Sequence, residues 1–251
     1  MTDTTTSHVP SDQAAQLASL IGQAKHIVFF GGAGVSTESG IPDFRSADGL
    51  YNQHLDRQLQ PEEIVSHSFF QAHPADFFDY YRHHLVYPDA RPNPAHLALA
   101  ALEKAGKVSA VITQNIDGLH QAAGSQVVWE LHGSVWRNHC LRCGQAFPLA
   151  AVLETDGVPY CPCGGIIKPD VVLYEESLDG NVIDGAVKAL GRADLLIIGG
   201  TSLVVYPAAG LIDAFRGRHL VLINQSATAA DSQAELVIRA PIGETLKPWA
   251  A

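Results

Sequence analysis

Short apolar runs alternate along the chain with longer stretches in which apolar residues recur at helical spacing. The apolar runs span residues 26–30, 108–113, 193–199 and 219–224, with a weaker run at 234–239. Helical spacing covers residues 13–25, 94–105, 184–190 and 207–215. Short runs that are rich in β-branched residues are typical of strands buried in a parallel sheet. Strands that alternate with helices predict an α/β fold with a doubly wound parallel sheet.

Two segments interrupt this alternation. Residues 46–92 are rich in aromatic residues and histidine and contain proline-marked turns, which favours a helical module. Residues 135–175 contain all four cysteines. We therefore predict a Rossmann-type domain built from residues 12–45, 93–134 and 176–250, and a smaller domain built from the two interrupting segments. The polar residues 1–11 are predicted to form a flexible tail.

The formal net charge is −10, from 16 basic and 26 acidic side chains. Because an acidic chain lacks the basic footprint that neutralises phosphates, we expect no direct binding of nucleic acid. The charge is compatible with a basic partner such as a lysine-bearing peptide. No apolar run is as long as a membrane span and the polar N-terminus does not match a secretory signal, so we expect no membrane association. The expected compartment is the cytoplasm.

The cysteines follow a metal-binding pattern. Cys140 and Cys143 form a C-x2-C pair, which a gap of 17 residues separates from the C-x-C pair Cys161 and Cys163. Four thiolates in two such pairs predict a tetrahedral zinc ribbon, whereas four unrelated free cysteines would not share this spacing. Four cysteine ligands leave no open position, so the zinc is predicted to be structural. Because the second pair is one residue tighter than usual, strained geometry and substitution by His139 both stay open.

Glycines follow the first predicted strand directly. The turn at residues 31–36 lets the backbone approach a pyrophosphate, because glycine has no Cβ. Its spacing departs from G-x-G-x-x-G, and no acidic residue follows about 20 positions later to hold a ribose. A hydride-transferring dehydrogenase is therefore disfavoured. Just beyond the turn, Asp43, Phe44 and Arg45 are placed on a loop that begins at Pro42. This loop is either a functional loop beside the dinucleotide or a surface turn in which Asp43 and Arg45 pair.

Polar residues also follow the second predicted strand. Gln114, Asn115 and Asp117 are placed beyond its carboxyl end, where open parallel sheets bind ligands. His132 precedes a glycine at what we predict to be another strand end. A lone histidine is more often structural, but at this edge an imidazole that titrates near neutrality is suited to general-base catalysis.

Taken together, these motifs resemble the sirtuins. The matching segments are residues 32–45, 113–117, 132–133, 168–176, 200–207 and 223–224, together with the four cysteines. They occur in the family's order and cover nearly the whole chain. Sirtuins are NAD-dependent protein-lysine deacylases with a Rossmann-type large domain and a small domain made of a helical module and a zinc ribbon.

The resemblance implies a set of site residues. His132 would be the general base, with Asn115 as a second catalytic residue. NAD would be held by Gly32, Ala33, Gly34, Thr37, Asp43, Phe44, Arg45, Gln114, Asn115, Ile116, Asp117, Gly200, Thr201, Ser202, Asn224 and Ile242. The substrate peptide would add as a strand between two extended runs, Val171, Val172 and Leu173 on one side and Leu203, Val204 and Val205 on the other.

The implied activity is removal of acetyl or other short neutral acyl groups from lysine side chains of proteins or peptides, with release of nicotinamide and O-acetyl-ADP-ribose. A mono-ADP-ribosyltransferase using the same NAD site is the alternative, and a binding module with a silent NAD pocket is disfavoured by intact His132, Asn115 and Asp117. Members that prefer succinyl groups carry Tyr-x-x-Arg, whereas this chain has His84 at the arginine position after Tyr81. Many members also have Phe-Gly-Glu after the Val-Val run, where residues 173–176 of this chain read Leu-Tyr-Glu-Glu.

Overall fold

The computed structural model describes residues 9–43 and 59–250, and its strands follow the apolar runs of the sequence. The strands are β1 Ile27–Gly31, β2 Val108–Thr113, β3 Val128–Glu130, β4 Gly133–Cys140, β5 Ala146–Phe147, β6 Ile167–Val171, β7 Leu195–Gly199, β8 His219–Ile223 and β9 Leu236–Ile238. The α-helices are α1 Ser11–Gln23, α2 Pro61–Ile64, α3 His67–Ala72, α4 Pro74–His84, α5 Pro94–Lys104, α6 Leu119–Ala123, α7 Ala150–Leu153, α8 Gly180–Arg192 and α9 Ile242–Leu246.

Six of these strands form the central sheet, in the order β3-β2-β1-β7-β8-β9. Every neighbouring pair in this sheet is parallel. Numbered within the sheet alone, the order is the 3-2-1-4-5-6 of dinucleotide-binding folds. The predicted doubly wound parallel sheet is therefore confirmed. Its strand order reverses between β1 and β7, which is where such folds bind ligands.

Both faces of the sheet are covered. Along β1, Ile27 and Phe29 face the layer of α1, α5 and α9, whereas Val28 and Phe30 face α8. All four side chains are fully buried. Burial on both faces explains why the strand is an uninterrupted apolar run with no alternation of polar residues.

Some predicted helix bounds were wrong. Helix α8 begins at Gly180 and not at residue 184, because the Asp179 carboxylate caps it by accepting from the backbone amides of Asn181 and Val182. Helix α1 begins at Ser11, which the predicted tail included. The stretch 207–215 forms a 3₁₀ helix, Ala208–Ala214, with Gly210 in its middle.

A smaller unit combines the two interrupting segments. Strands β5, β4 and β6 form an antiparallel sheet, the ribbon that carries the cysteines. Phe77 and Tyr81 of α4 pack in one apolar core with Leu149 and Ile167 of this ribbon. The predicted small domain of a helical module and a ribbon is thus confirmed. Among the described residues, no helix combines the length and apolar character needed to cross a membrane.

Candidate active site

A cavity of about 870 Å³ lies at the carboxyl ends of β1, β2, β7 and β8, next to the small domain. Predicted site residues that line it are Ala33, Gly34, Thr37, Asp43, Gln114, Asn115, Ile116, Asp117, His132, Val171, Val172, Leu173, Gly200, Thr201, Ser202, Val205, Asn224 and Ile242. Gly32, Leu203 and Val204 are not part of its lining. Phe44 and Arg45 lie outside the described residues. The topology thus collects most of the predicted site into one space.

Two glycine turns meet at the floor of this cavity. The Gly34 amide donates to the Gly200 carbonyl oxygen over 2.8 Å. A Cβ on Gly34 would come within 2.8 Å of the Gly200 Cα, and Gly200 itself has a φ of +58°. The sequence therefore needs bare backbone at both turns. Bare backbone at the switch point of the sheet fits a pyrophosphate, so the residues present fit a dinucleotide.

A hydrogen-bonded group of three side chains joins the first turn to the end of β2. The Ser36 hydroxyl donates to the Asp117 carboxylate over 2.6 Å and accepts from the Asn115 amide over 3.0 Å. The Leu119 amide donates to the other Asp117 oxygen over 2.9 Å. Burial raises the pKa of Asp117, and the hydrogen bonds from Ser36 and Leu119 oppose part of that rise. The group fixes an amide and a carboxylate at the cavity wall.

His132 follows β3 and lines the same cavity. Its Nδ1 lies 2.9 Å from the Gln114 carbonyl oxygen, which can only accept, so Nδ1 carries the proton and Nε2 is the basic nitrogen. Burial lowers the pKa of His132, against a rise from that hydrogen bond. The next residue, Gly133, has a φ of +75°. The imidazole is therefore neutral near pH 7 with a free lone pair, as a general base requires.

The predicted peptide-binding runs are only partly extended. Val172 donates to the His132 carbonyl oxygen over 3.0 Å, so the first run leaves β6 beside the candidate base. In the second run, Leu203 has a φ of +55° and is buried in the core, so the extended conformation predicted there is wrong. The cause is local, because the Leu203 amide donates to the Thr201 hydroxyl over 3.2 Å and closes a turn.

The residues after the first run are anchored to the helical module. Glu176 accepts from the Leu173 amide over 2.9 Å and from Lys168 over 3.1 Å, and its other oxygen lies 2.9 Å from His67 Nδ1. These contacts lower the pKa of Glu176 despite its partial burial. Glu175, with a φ of 76°, accepts from the Ser68 amide over 2.9 Å. This wall of the cavity is therefore fixed at both ends.

The four cysteines converge at the tip of the ribbon. All four sulfur atoms lie within 4.8 Å of one another, and the Cys140–Cys163 and Cys143–Cys161 pairs are 3.4 and 3.7 Å apart. A tetrahedral zinc with thiolate ligands holds neighbouring sulfurs at about 3.8 Å, so the donor set fits structural zinc. The tight C-x-C pair reaches this arrangement, and the group does not include His139.

Sequence reasoning missed Ser36 as a site residue. Its side chain is 1% exposed and bonds both Asn115 and Asp117. Its position at the end of the glycine turn could have indicated a site residue, because a hydroxyl there can reach the polar residues that follow β2. Tyr81, His84, Tyr87 and Tyr174 also line the cavity and were not predicted as site residues.

Known proteins share these features across the chain. The family model described as the Sir2 family matches residues 32–207. An NAD-dependent protein deacetylase of Clostridium perfringens is 61% identical over 237 residues, which cover 94% of this chain and 97% of that protein.

Two solved structures show the same likeness. A Sir2 enzyme with a deacetylated p53 peptide and 3′-O-acetyl-ADP-ribose is 37% identical, with a TM-score of 0.85, and the match covers 93% of this chain and 95% of the other. A Sir2 complex with a p53 peptide and NAD+ is 38% identical, with a TM-score of 0.81 and the same coverage of the two chains. The extent and identity of these matches establish that the chain belongs to the Sir2 family, the sirtuins.

Proposed function

We propose that this chain is an NAD-dependent protein deacetylase, which removes acetyl and other short neutral acyl groups from lysine side chains and releases nicotinamide and O-acetyl-ADP-ribose. The observation that carries this proposal is the shared cavity. It brings the basic Nε2 of His132, the group of Ser36, Asn115 and Asp117, and the peptide-side residue Val172 into one space.

His132 is the general base of the proposed reaction. Because its Nδ1 donates to the Gln114 carbonyl, Nε2 is free to take a proton from a ribose hydroxyl and to hold it during acyl transfer. The lowered pKa keeps Nε2 unprotonated at neutral pH. Bound NAD supplies the ribose to which the acyl group is transferred.

Asn115 and Asp117 orient the nicotinamide in this scheme. An amide and a carboxylate held 3.0 and 2.6 Å from one serine hydroxyl offer a fixed donor and acceptor to a carboxamide. Ile116 packs on the apolar core of the small domain and supplies an apolar wall. Further NAD contacts are assigned to Gly32, Ala33, Gly34, Thr37, Asp43, Phe44, Arg45, Gln114, Gly200, Thr201, Ser202, Asn224 and Ile242.

The partners we propose are acetyl-lysine-bearing proteins or peptides, as the p53 peptides bound to the related Sir2 structures support. The run of Val171, Val172 and Leu173 forms one side of the peptide site, with the loop of Leu203, Val204 and Val205 opposite. A neutral acyl group suits this chain because Arg82 turns to the ribbon. Its Nε donates to the Val152 carbonyl over 2.9 Å, and its guanidinium also bonds the Gly157 carbonyl.

Zinc at the four cysteines stabilises the small domain and takes no part in the chemistry. We retain the predicted boundaries as a proposal, with NAD binding by residues 12–45, 93–134 and 176–250 and the small domain formed by 46–92 and 135–175. The cytoplasm is the proposed compartment, because closely spaced thiols stay reduced and available to metal there.

Mass spectrometry of an acetyl-lysine peptide incubated with NAD and the protein tests the activity. The expected products are the deacetylated peptide and acetyl-ADP-ribose. The His132→Ala variant is expected to lose turnover while it still binds NAD in calorimetry. An unchanged peptide together with an ADP-ribosylated protein acceptor would instead support a mono-ADP-ribosyltransferase and sink the deacetylase proposal.

A further inference from the structure

A bulge interrupts the pairing of β4 with β6. Ser134 pairs with Asp170 and Asn138 pairs with the adjacent Pro169, so residues 135–137 are additional on the β4 side. A bulge bends its strand and re-aims the side chains that it carries, and bulges are frequent next to active sites. In this chain, each of the bulged residues bonds a different part of the candidate site.

The first two bulged residues hold the segment that follows β2. The Val135 amide donates to the Ile116 carbonyl oxygen over 3.0 Å, and the Trp136 indole Nε1 donates to the Asp117 carbonyl oxygen over 2.8 Å. The indole ring also lies against Gly118, because a Cβ on that glycine would come within 2.7 Å of the ring. Trp136 is not part of the cavity lining. It therefore fixes the backbone of the proposed nicotinamide site from outside the cavity.

The third bulged residue, Arg137, joins the two strands that flank the proposed base. Its Nη1 donates to the Glu130 carboxylate over 2.6 Å, and its Nε donates to the Asp170 carboxylate over 2.8 Å. Glu130 ends β3 two positions before His132, and its side chain is only 8% exposed. Asp170 is also next to the base, because a Cβ on Gly133 would come within 1.9 Å of the Asp170 carbonyl oxygen. One guanidinium between these two carboxylates thus restrains the backbone that carries the imidazole.

We infer that Trp136 and Arg137 are positioning residues of the proposed reaction, Trp136 for the nicotinamide half of the site and Arg137 for the half that contains His132. The inference rests on the proposed deacetylase function and adds to it two residues outside the cavity lining. In the proposed scheme, nicotinamide leaves the ribose first and the base acts afterwards, during acyl transfer. Substitution of the two residues should therefore affect different steps.

Two rates measured on the whole chain separate these steps. Exchange of labelled nicotinamide into NAD, with an acetyl-lysine peptide present, reports on the departure of nicotinamide, whereas formation of deacetylated peptide reports on the complete reaction. Trp136→Phe is expected to raise the nicotinamide concentration at half-maximal exchange about three- to tenfold, the value of one net hydrogen bond, and to leave kcat for deacetylation within about twofold. Arg137→Gln is expected to lower that kcat about 10- to 100-fold, because it breaks two bonds between charged groups, and to leave maximal exchange within about twofold.

Two further variants serve as the rescue and the control. Arg137→Lys should recover part of the lost kcat, because an ammonium group can pair with Glu130 but cannot span both carboxylates. Arg216→Gln is the matched control, since it removes an exposed guanidinium that bonds the Phe215 carbonyl oxygen in its own loop. This variant should keep both wild-type rates.

Unchanged rates in both variants, an equal fall of exchange and deacetylation in each, or the same loss in Arg216→Gln would overturn the inference. If Arg137→Gln does not fold, Asp170→Asn weakens the same bridge at a carboxylate that is 47% exposed, and the same split between the two rates is expected of it. A wild-type protein that does not deacetylate the peptide would remove the proposed function itself. A wild-type protein that does, with no split between the rates in the variants, would remove only the role of the bulge.

Discussion

Replacing Ser36 by alanine tests whether the hydroxyl organises the proposed nicotinamide site. The substitution removes the 2.6 Å bond to Asp117 and the 3.0 Å bond from Asn115. A hydrogen bond to a charged group contributes about 1.5–3 kcal/mol and a neutral one about 0.5–1.5 kcal/mol. Because only part of this energy orients NAD, we expect kcat/KM for NAD to fall about 10- to 100-fold.

The pH profile provides an independent readout of the same change. Burial already raises the pKa of Asp117, and the bond from Ser36 opposes that rise by favouring the charged form. If the carboxylate is needed in its ionised form, activity falls as pH falls through this pKa. Loss of a bond worth about 1.5–3 kcal/mol should move the acid limb of kcat/KM up by about one to two pH units.

Ser39→Ala is the control for this experiment. Ser39 lies in the same loop, and its buried hydroxyl has no partner among the described residues. Nicotinamide release at saturating peptide is the assay, followed across pH for both variants. A Ser36→Ala enzyme with an unchanged kcat/KM and acid limb would refute the role of the hydroxyl, as would an equal loss in Ser39→Ala.

Three further outcomes follow from the structure. Chelation of zinc should lower the Tm and unfold the ribbon first, because its four thiolates hold the two hairpin tips together; an unchanged calorimetric Tm would exclude a structural metal. Gly133→Ala should lower the free energy of unfolding in urea by roughly several kcal/mol, because its Cβ would lie 1.9 Å from the Asp170 carbonyl oxygen. The control Gly106→Ala, at a similar φ and with no atom within 4 Å of its Cβ, should lower it by only about 1–2 kcal/mol. Burial lowers the pKa of His96 from 6.5 to about 4, so between these two pH values the unfolded state binds a proton that the folded state does not. The free energy of unfolding should therefore fall by up to about 3 kcal/mol as pH falls from about 6.5 to about 4, and the same loss in a His96→Asn variant would contradict this.

The apolar runs predicted the strands of the sheet well, because a strand that is buried on both faces is a continuous apolar run in the sequence itself. The bounds of β2, Val108–Thr113, match its apolar run residue for residue, since both of its faces contact helices. The start of α8 was missed because Asp179 acts as a cap through its side chain, which apolar periodicity does not register. The resemblance to the sirtuins implied an extended run at Leu203, Val204 and Val205, whereas the Leu203 amide bonds the Thr201 hydroxyl and the backbone turns there.

The contacts that shape the site connect residues that are far apart in the chain. Ser36 and Asp117 are 81 positions apart, yet they share a 2.6 Å bond because β1 and β2 are parallel neighbours. Each residue could be predicted to lie at a strand end, but the hydrogen bond depends on the pairing register. Tyr81 belongs to a helix with ordinary apolar spacing, and its link to the cavity arises only where the helical module packs on the ribbon.

The histidines show which local signal identifies chemistry. His96 and His120 lie on helices, are at most 1% exposed, and pack against each other at a 60° tilt with 4.7 Å between ring centroids. Desolvation lowers the pKa of both, so they are neutral core residues despite their titratable rings. His132 follows a strand instead, at the edge where a parallel sheet directs its carboxyl ends, and the Gln114 carbonyl from the next strand fixes its tautomer. Position relative to the end of a strand therefore distinguishes the proposed base from the buried imidazoles, because there the backbone both orients the ring and leaves it at the cavity.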